Sequence, residues 1–217
     1  MKRRHFLIQS TGGLALGSSL LQAAMKQEKW GAAAEILSTA TASKQVHAAS
    51  IYVRQGNSEF ARSFGAAKSV DDIFLLASIS KTIAAAAVMK LHETGKFALD
   101  DPASRFLPEF TGDGRETITV SQLLTHVSGL PDQLPENAAL RASHAPLPKF
   151  VEAAMRTPLL FPPGTEYRYS SMAILLATEI AQRISGTPFP DFVAESICRP
   201  LEMHRSAMGP GQFSLDE

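Results

Sequence analysis

Several residue types and motifs are scarce or missing in this sequence, and each shortage excludes a class of protein. Cys198 is the only cysteine, so the chain cannot form an internal disulfide, and its apolar neighbours indicate a buried, inert thiol. Basic and acidic residues number 21 each, so no basic patch predicts a nucleic-acid partner. The six histidines show no paired ligand spacing, so we expect no metal and no cofactor. A G-x-S-x-G motif is absent, which argues against an α/β-hydrolase.

A long hydrophobic run is also missing. The apolar stretch 14–24 is too short to cross a bilayer, which takes about 20 residues, so we expect no stable membrane span. It follows the basic cluster Lys2-Arg3-Arg4, an order typical of an export signal, and the two arginines before Phe6-Leu7 resemble a twin-arginine signal. An amphipathic N-terminal helix is the alternative. We predict an export signal over residues 1–24, the twin-arginine export machinery as partner, and a periplasmic or extracellular location.

The remaining residues, 25–217, carry the patterns of a folded domain, and 45% of the whole sequence is apolar. Residues 46–67 alternate apolar and polar side chains around a turn at Gln55-Gly56-Asn57, which predicts two antiparallel strands. A polar, proline-marked loop is expected between about 131 and 148. Helical spacing predicts helices within 28–41, 79–96, 118–131, 148–158, 171–186 and 188–201. A strand pair followed by helices predicts an α+β fold.

The stretch FLLASISKTIAAAAV contains the only S-x-x-K of the sequence, Ser78 and Lys81. On a helix, residues three apart lie on one face with Cβ atoms about 5–6 Å apart. Lys81 can then take the proton of Ser78 if burial keeps its amine neutral. In the first helical turn the Ser78 amide can also donate to an oxyanion. The apolar residues 73–77 predict that the pair lies beside a core. The alternative is a capping serine with a surface lysine.

Four blocks of the chain together resemble the serine β-lactamase-related superfamily: 76–110 (LASISKT to FLPEF), 118–131 (ITVSQLLTHVSGLP), 161–189 (FPPGTEYRYSS to GTPF) and 199–203 (RPLEM). Within the superfamily the chain resembles class C β-lactamases, D-alanyl-D-alanine carboxypeptidases (penicillin-binding enzymes) and family VIII esterases. The resemblance implies a β-lactamase/transpeptidase-like α+β fold, with a helical domain and an N-terminal strand pair of an incomplete antiparallel sheet.

The resemblance also implies roles for individual residues. Ser78 would be the acylated nucleophile and Lys81 its proton acceptor. The second element of the family is a Tyr-x-Asn triplet, matched here by Tyr169-Ser170-Ser171, so Tyr169 would exchange protons with Ser78 and the leaving group. For Tyr169 the alternative is a core aromatic with a satisfied hydroxyl.

Ser171 stands where the family has asparagine and is expected to bind substrate. A serine hydroxyl offers one donor, whereas an amide offers two donors and an acceptor. Contact with a substrate amide is therefore weakened, and ester substrates are favoured over β-lactams.

The block LLTHVSGL contains His126, a residue type found in Ser-His-Asp triads. The resemblance implies instead that this block is structural, a helix end and a turn that shape a wall of the site. His126 is therefore expected to lie outside the catalytic set.

The third element of the family, Lys or His, then Ser or Thr, then Gly on an edge strand, has no match after Tyr169. In the family this strand supplies a second oxyanion N–H. We therefore expect the chain to be a C-terminally truncated portion of such a domain, poorly stable and nearly inactive, because loss of one oxyanion donor costs about 10²–10³ in rate. Two functions stay open. One is a serine hydrolase that forms an acyl-enzyme with esters, peptidoglycan-like peptides or β-lactams, and the other is a non-catalytic binding module.

Overall fold

The computed structural model describes residues 29–209, 211 and 213. The predicted export signal, residues 1–24, lies outside the described residues. The chain forms two compact units, the first ending at Phe74 and the second beginning at Leu75.

The first unit contains helix α1 (29–42) and a β-hairpin. Strand β1 (Ala48–Gln55) pairs with β2 (Ser58–Gly65) in an antiparallel ladder, and Gly56 at the first position of the two-residue turn has a φ of 60°, which glycine adopts at little cost. The ring of Trp30 lies 6.0 Å from that of Phe60, between centroids. The predicted first helix and strand pair are therefore both present.

The second unit is helical. Its α-helices are α2 (Ser80–Glu93), α3 (Val120–Leu124), α4 (Asn137–Ala142), α5 (Leu147–Arg156), α6 (Ser171–Ser185) and α7 (Phe189–Val193). Short 3₁₀ turns at Ala77–Ile79, Ala103–Arg105 and Arg115–Thr117 join them, and a π-helical turn, Ala194–Cys198, extends α7. Gly95 and Gly186 follow α2 and α6 with positive φ angles of 71° and 68°, as expected of residues that end helices.

Helix α6 lies at the centre of the second unit and packs against α2, α3, α5 and α7. Its buried face consists of Met172, Ala173, Ile174, Leu176, Ala177, Ile180 and Ala181. The residues around it are mainly aliphatic, and Cys198 joins this core, where burial raises the pKa of its thiol. The predicted inert cysteine therefore lies in apolar surroundings.

Three local predictions were wrong. Residues 137–142 form α4 within the predicted loop, because Ala, Leu and Arg favour helix and Leu140 packs against the core. The helix within 118–131 was expected to stop at Gly129 and Pro131, but it ends at Leu124, since the chain turns at His126 with a φ of 63°. Ser78 lies in the 3₁₀ turn before α2 and not in the first turn of α2 itself.

Among the described residues, none of the helices combines the length and apolar character needed to cross a membrane. The strands of the described part of the chain are β1 and β2 alone. Together with the helical unit, they make the predicted α+β arrangement.

Candidate active site

The backbone turns sharply where it enters the segment that carries Ser78. Ala77 has a φ of 46°, in the left-handed region that non-glycine residues rarely adopt. Such a conformation costs on the order of 1–3 kcal/mol and persists only where the surrounding structure holds it. After this turn the 3₁₀ segment leads directly into α2, so that Ser78 and Lys81 lie one turn apart on the same side. Lys81 Nζ is 3.1 Å from Ser78 Oγ.

Tyr169 reaches the same serine from a distant part of the chain. Its hydroxyl donates a hydrogen bond to Ser78 Oγ at 2.8 Å, across 91 positions of sequence. Lys81 Nζ lies 5.0 Å from the centroid of the Tyr169 ring. The structure therefore brings together Ser78, Lys81 and Tyr169, the three residues predicted to be catalytic.

The electrostatics of this cluster favour the anionic form of the tyrosine. A hydrogen bond with Lys81 is the largest cause that lowers the pKa of the Tyr169 phenol, and the bond with Ser78 adds to it. Partial burial and the Asp132 carboxylate act in the opposite direction. Because the first two effects prevail, the phenolate form of Tyr169, which alone can accept a proton, is more populated than in an ordinary tyrosine.

The cluster lies in a more open position than the sequence predicted. Lys81 is half-buried, not largely buried, and Ser78 is exposed. The apolar residues 73–77, expected beside a core, are exposed as well, with Leu75 at 98% of its full surface. The apolar composition of residues 73–77 did not lead to their burial, because a side chain is buried only when another part of the protein packs against it.

Ser171 begins α6 and has a partner that the sequence did not indicate. Its hydroxyl donates to Asp132 Oδ1 at 2.7 Å, and its backbone N–H donates to the same oxygen at 2.9 Å. An anion accepting two bonds at a helix N-terminus is a stabilising arrangement. Because the Ser171 hydroxyl donates its one hydrogen to Asp132, it can offer a substrate only an acceptor.

Ser170 fixes the end of the loop that carries Tyr169. It is fully buried, donates its hydroxyl to the carbonyl of Pro131 at 2.8 Å, and accepts the N–H of Ala173 at 2.9 Å as the N-cap of α6. His126 contacts the same loop, with its ring centroid 4.8 Å from that of Tyr169. His126 thus packs against the loop that carries Tyr169.

Comparison with known proteins decides the family. A family model described as Beta-lactamase matches residues 22–214. This chain belongs to the β-lactamase family. The predicted resemblance and fold class are thereby confirmed.

Individual relatives of this β-lactamase-family chain act in different ways. Esterase EstB of Burkholderia gladioli is 34% identical over 148 residues, which cover 61% of this chain and 38% of the esterase. The structure of a D-stereospecific amidohydrolase from Streptomyces sp. matches with a TM-score of 0.63 and 28% identity, over 73% of this chain and 51% of that one. A penicillin binding protein from Bacillus halodurans matches with a TM-score of 0.63 and 26% identity, over 77% and 54%. The chain thus spans about two-fifths to half the length of these relatives.

A groove of about 580 Å³ opens on the side of Lys81 in this β-lactamase-family chain. Its wall is mainly apolar and includes Leu147, Ile174 and Leu175, and Lys81, Ser171 and Glu179 are among its polar members. In the described part of the chain, no three His, Cys, Asp or Glu side chains gather in a group able to hold a metal ion. The functional groups gathered at Ser78 are hydroxyls, an amine and a phenol.

Proposed function

We propose that this chain is an exported serine hydrolase that forms an acyl-enzyme on Ser78 and acts on esters or peptidoglycan-like substrates. The observation that carries the proposal is the pair of short contacts at Ser78 Oγ, 3.1 Å to Lys81 Nζ and 2.8 Å to the Tyr169 hydroxyl. A serine hydroxyl is a weak nucleophile until a neighbouring base takes its proton. Here two groups that can exchange protons touch the same oxygen.

The chemistry follows from these contacts. Ser78 Oγ attacks the carbonyl carbon of the substrate while its proton passes to Lys81 or Tyr169 as free amine or phenolate. The tetrahedral intermediate then expels the alcohol or amine of the substrate, which takes up that proton, and an ester of Ser78 remains. Water releases the acyl group by the same sequence of proton transfers. The lowered pKa of Tyr169 supports its part as proton acceptor.

The surroundings of Ser171 favour esters over amides. A substrate amide beside the nucleophile is best held by a residue that both donates and accepts, but the Ser171 hydroxyl already donates to Asp132. An ester needs no such pairing, and the apolar wall of the groove suits an apolar acyl group. The similarity to an esterase agrees with this preference.

A non-catalytic binding module is the second candidate. It is favoured by the exposure of Ser78 and Tyr169, the latter at 38%. An open site admits water, and water weakens the electrostatic stabilisation of a transition state. Such a module would keep the groove and bind ligands without transferring an acyl group.

Covalent labelling separates the two functions, because it requires the first chemical step but no turnover. The full chain is treated with a fluorophosphonate, and the modified residue is located by intact-mass and peptide mass spectrometry. We expect one label, on Ser78, that is lost in Ser78→Ala and kept in the neighbouring control Ser80→Ala. No label, or a label retained in Ser78→Ala, would refute the hydrolase. Hydrolysis of a nitrophenyl ester and reaction with a fluorescent penicillin then compare substrates, and the ester should react faster.

A further inference from the structure

His126 holds the backbone on both sides of Tyr169. Its carbonyl oxygen accepts the N–H of Arg168 at 2.9 Å, and its ring Nδ1 accepts the N–H of Ser170 at 3.2 Å. Its ring also lies against the Tyr169 ring, with the centroids 4.8 Å apart and the planes tilted by 40°. One residue thus makes three contacts with a three-residue segment whose middle member touches the nucleophile.

The backbone of His126 is arranged for these contacts. Its φ of 63° lies in the left-handed region, where a non-glycine residue is strained by about 1–3 kcal/mol. The preceding helix α3 ends at Leu124, and this turn directs both the carbonyl and the ring of His126 toward the loop of Tyr169. Strain of this kind persists only where the surrounding contacts over-determine the conformation.

We infer that His126 is a positioning residue, which holds Tyr169 against Ser78 only while its own ring is neutral. This inference rests on the proposed function, because it assigns the tyrosine a part in the reaction at Ser78. The sequence predicted only a structural part for the block that contains His126. The inference makes the contact between Tyr169 and Ser78 depend on the protonation state of the His126 ring.

The dependence on a proton follows from the direction of the hydrogen bond. The Ser170 N–H can only donate, so Nδ1 must present its lone pair and the ring proton belongs on Nε2. Protonation at Nδ1 would place two N–H groups against each other and break the contact. The arrangement is therefore complete above the pKa of His126 in the folded chain and is lost as the pH falls through it.

The groups that face the ring keep it neutral near pH 7. Burial is the main cause that lowers the pKa of His126, and the positive charge of Lys81, from α2, lowers it further. The Asp132 carboxylate opposes both, and the Tyr167 ring lies edge-on at 6.1 Å. Since histidine ordinarily titrates at about 6.5, the loss of positioning is expected below that pH.

The rate of Ser78 labelling by a fluorophosphonate, measured on the full chain against pH, tests the inference. Each group that must be deprotonated adds one unit to the slope of log rate against pH on the acid side. In the unaltered chain the slope should therefore steepen by one unit below about pH 6.5. His126→Asn keeps a side-chain acceptor and a residue type that tolerates a left-handed backbone, but it does not titrate there. Near pH 8 the rate of Ser78 labelling in this variant should be within a few-fold of that in the unaltered chain. Below about pH 6.5 the slope of log rate against pH should not steepen.

Two further variants complete the series. His126→Ala loses the acceptor and should label at least about tenfold more slowly at every pH, because displacement of a proton-transfer group is costly. His144→Asn is the matched control, since His144 also has a positive φ, 51°, and is exposed. It should behave as the unaltered chain. A steepening that survives in His126→Asn, or full-rate labelling of His126→Ala, would overturn the inference.

The amide resonance of Ser170 gives a readout that does not need the reaction. In the unaltered chain its proton shift should follow the titration of His126, and in His126→Asn it should not. A Ser170 amide that does not respond overturns the positioning role even if Ser78 is labelled. If Ser78 is not labelled at all, the proposed function fails, while a titrating Ser170 amide still supports the contact with His126.

Discussion

Helix α6 and the nucleophile segment, residues 75–81, meet at the candidate site but are built in opposite ways. Helix α6 buries a continuous apolar face, begins at a fully buried capping serine, and ends at a glycine. The nucleophile segment begins next to an exposed Leu75, passes through a strained Ala77, and has no buried residue in its 3₁₀ turn. The α6 side of the site is therefore packed into the core, whereas Ser78 lies in a short, exposed turn.

This difference indicates how the contacts at Ser78 are held. Tyr169 and Ser171 are fixed by the cap of α6, by Asp132 and by His126, so several partly buried hydrogen bonds set their positions. Ser78 has no such support in its own segment, and segments with few buried contacts open locally at low cost. The α6 side therefore fixes where Tyr169 and Ser171 lie, and Ser78 is placed against Tyr169 from the more exposed side.

Removal of Lys81 is expected to produce the largest effect in this comparison. Lys81→Ala should slow Ser78 labelling by about 10³-fold, since a positioned proton-transfer group contributes roughly 10²–10⁴-fold. The free energy of unfolding should change little, because Lys81 is half-buried and forms no salt bridge among the described residues. A quenched time course measures the rate of Ser78 labelling, and urea denaturation measures the free energy of unfolding. An unaltered rate would show that the contact with Ser78 has no chemical role.

Two leucines test the contrast in packing directly. Leu176 of α6 is 0% exposed and Leu75 is 98% exposed. Leu176→Ala should lower the free energy of unfolding by about 3 kcal/mol through lost burial and the cavity left behind. Leu75→Ala should change it by less than about 0.5 kcal/mol. Urea denaturation of both variants gives the comparison, and equal losses would contradict the described difference between the two sides.

The cap of α6 should have the smallest of the three effects. Ser170→Ala removes the acceptor for the Ala173 N–H and leaves the Pro131 carbonyl without its donor, which should cost about 1 kcal/mol. Ser143→Ala, at an exposed serine after α4, is the control and should cost less than about 0.5 kcal/mol. Thermal denaturation monitored by circular dichroism measures both. An equal, negligible shift in both variants would mean that the cap does not anchor the loop of Tyr169.

Part of the site could be predicted because its signals are local. Ser78 and Lys81 are three residues apart, so helical spacing alone predicts their proximity. Tyr169 was found only through the resemblance of its block to a family, since nothing in its own neighbours relates it to a serine 91 positions earlier. Asp132 was missed because a single acidic residue after a proline is an ordinary turn residue. Its bond to Ser171 exists only when two distant segments meet.

The sequence by itself determined the secondary structure of the hairpin and most helices, because alternation, helical spacing and terminal glycines act over a few residues. It also determined the family, through blocks whose order and spacing together are specific. The tertiary structure alone decided which apolar residues are buried and what the site residues contact. Burial of Leu176 and exposure of Leu75 depend on a facing surface, and the role of His126 depends on a backbone turn that brings its carbonyl and its ring to one loop.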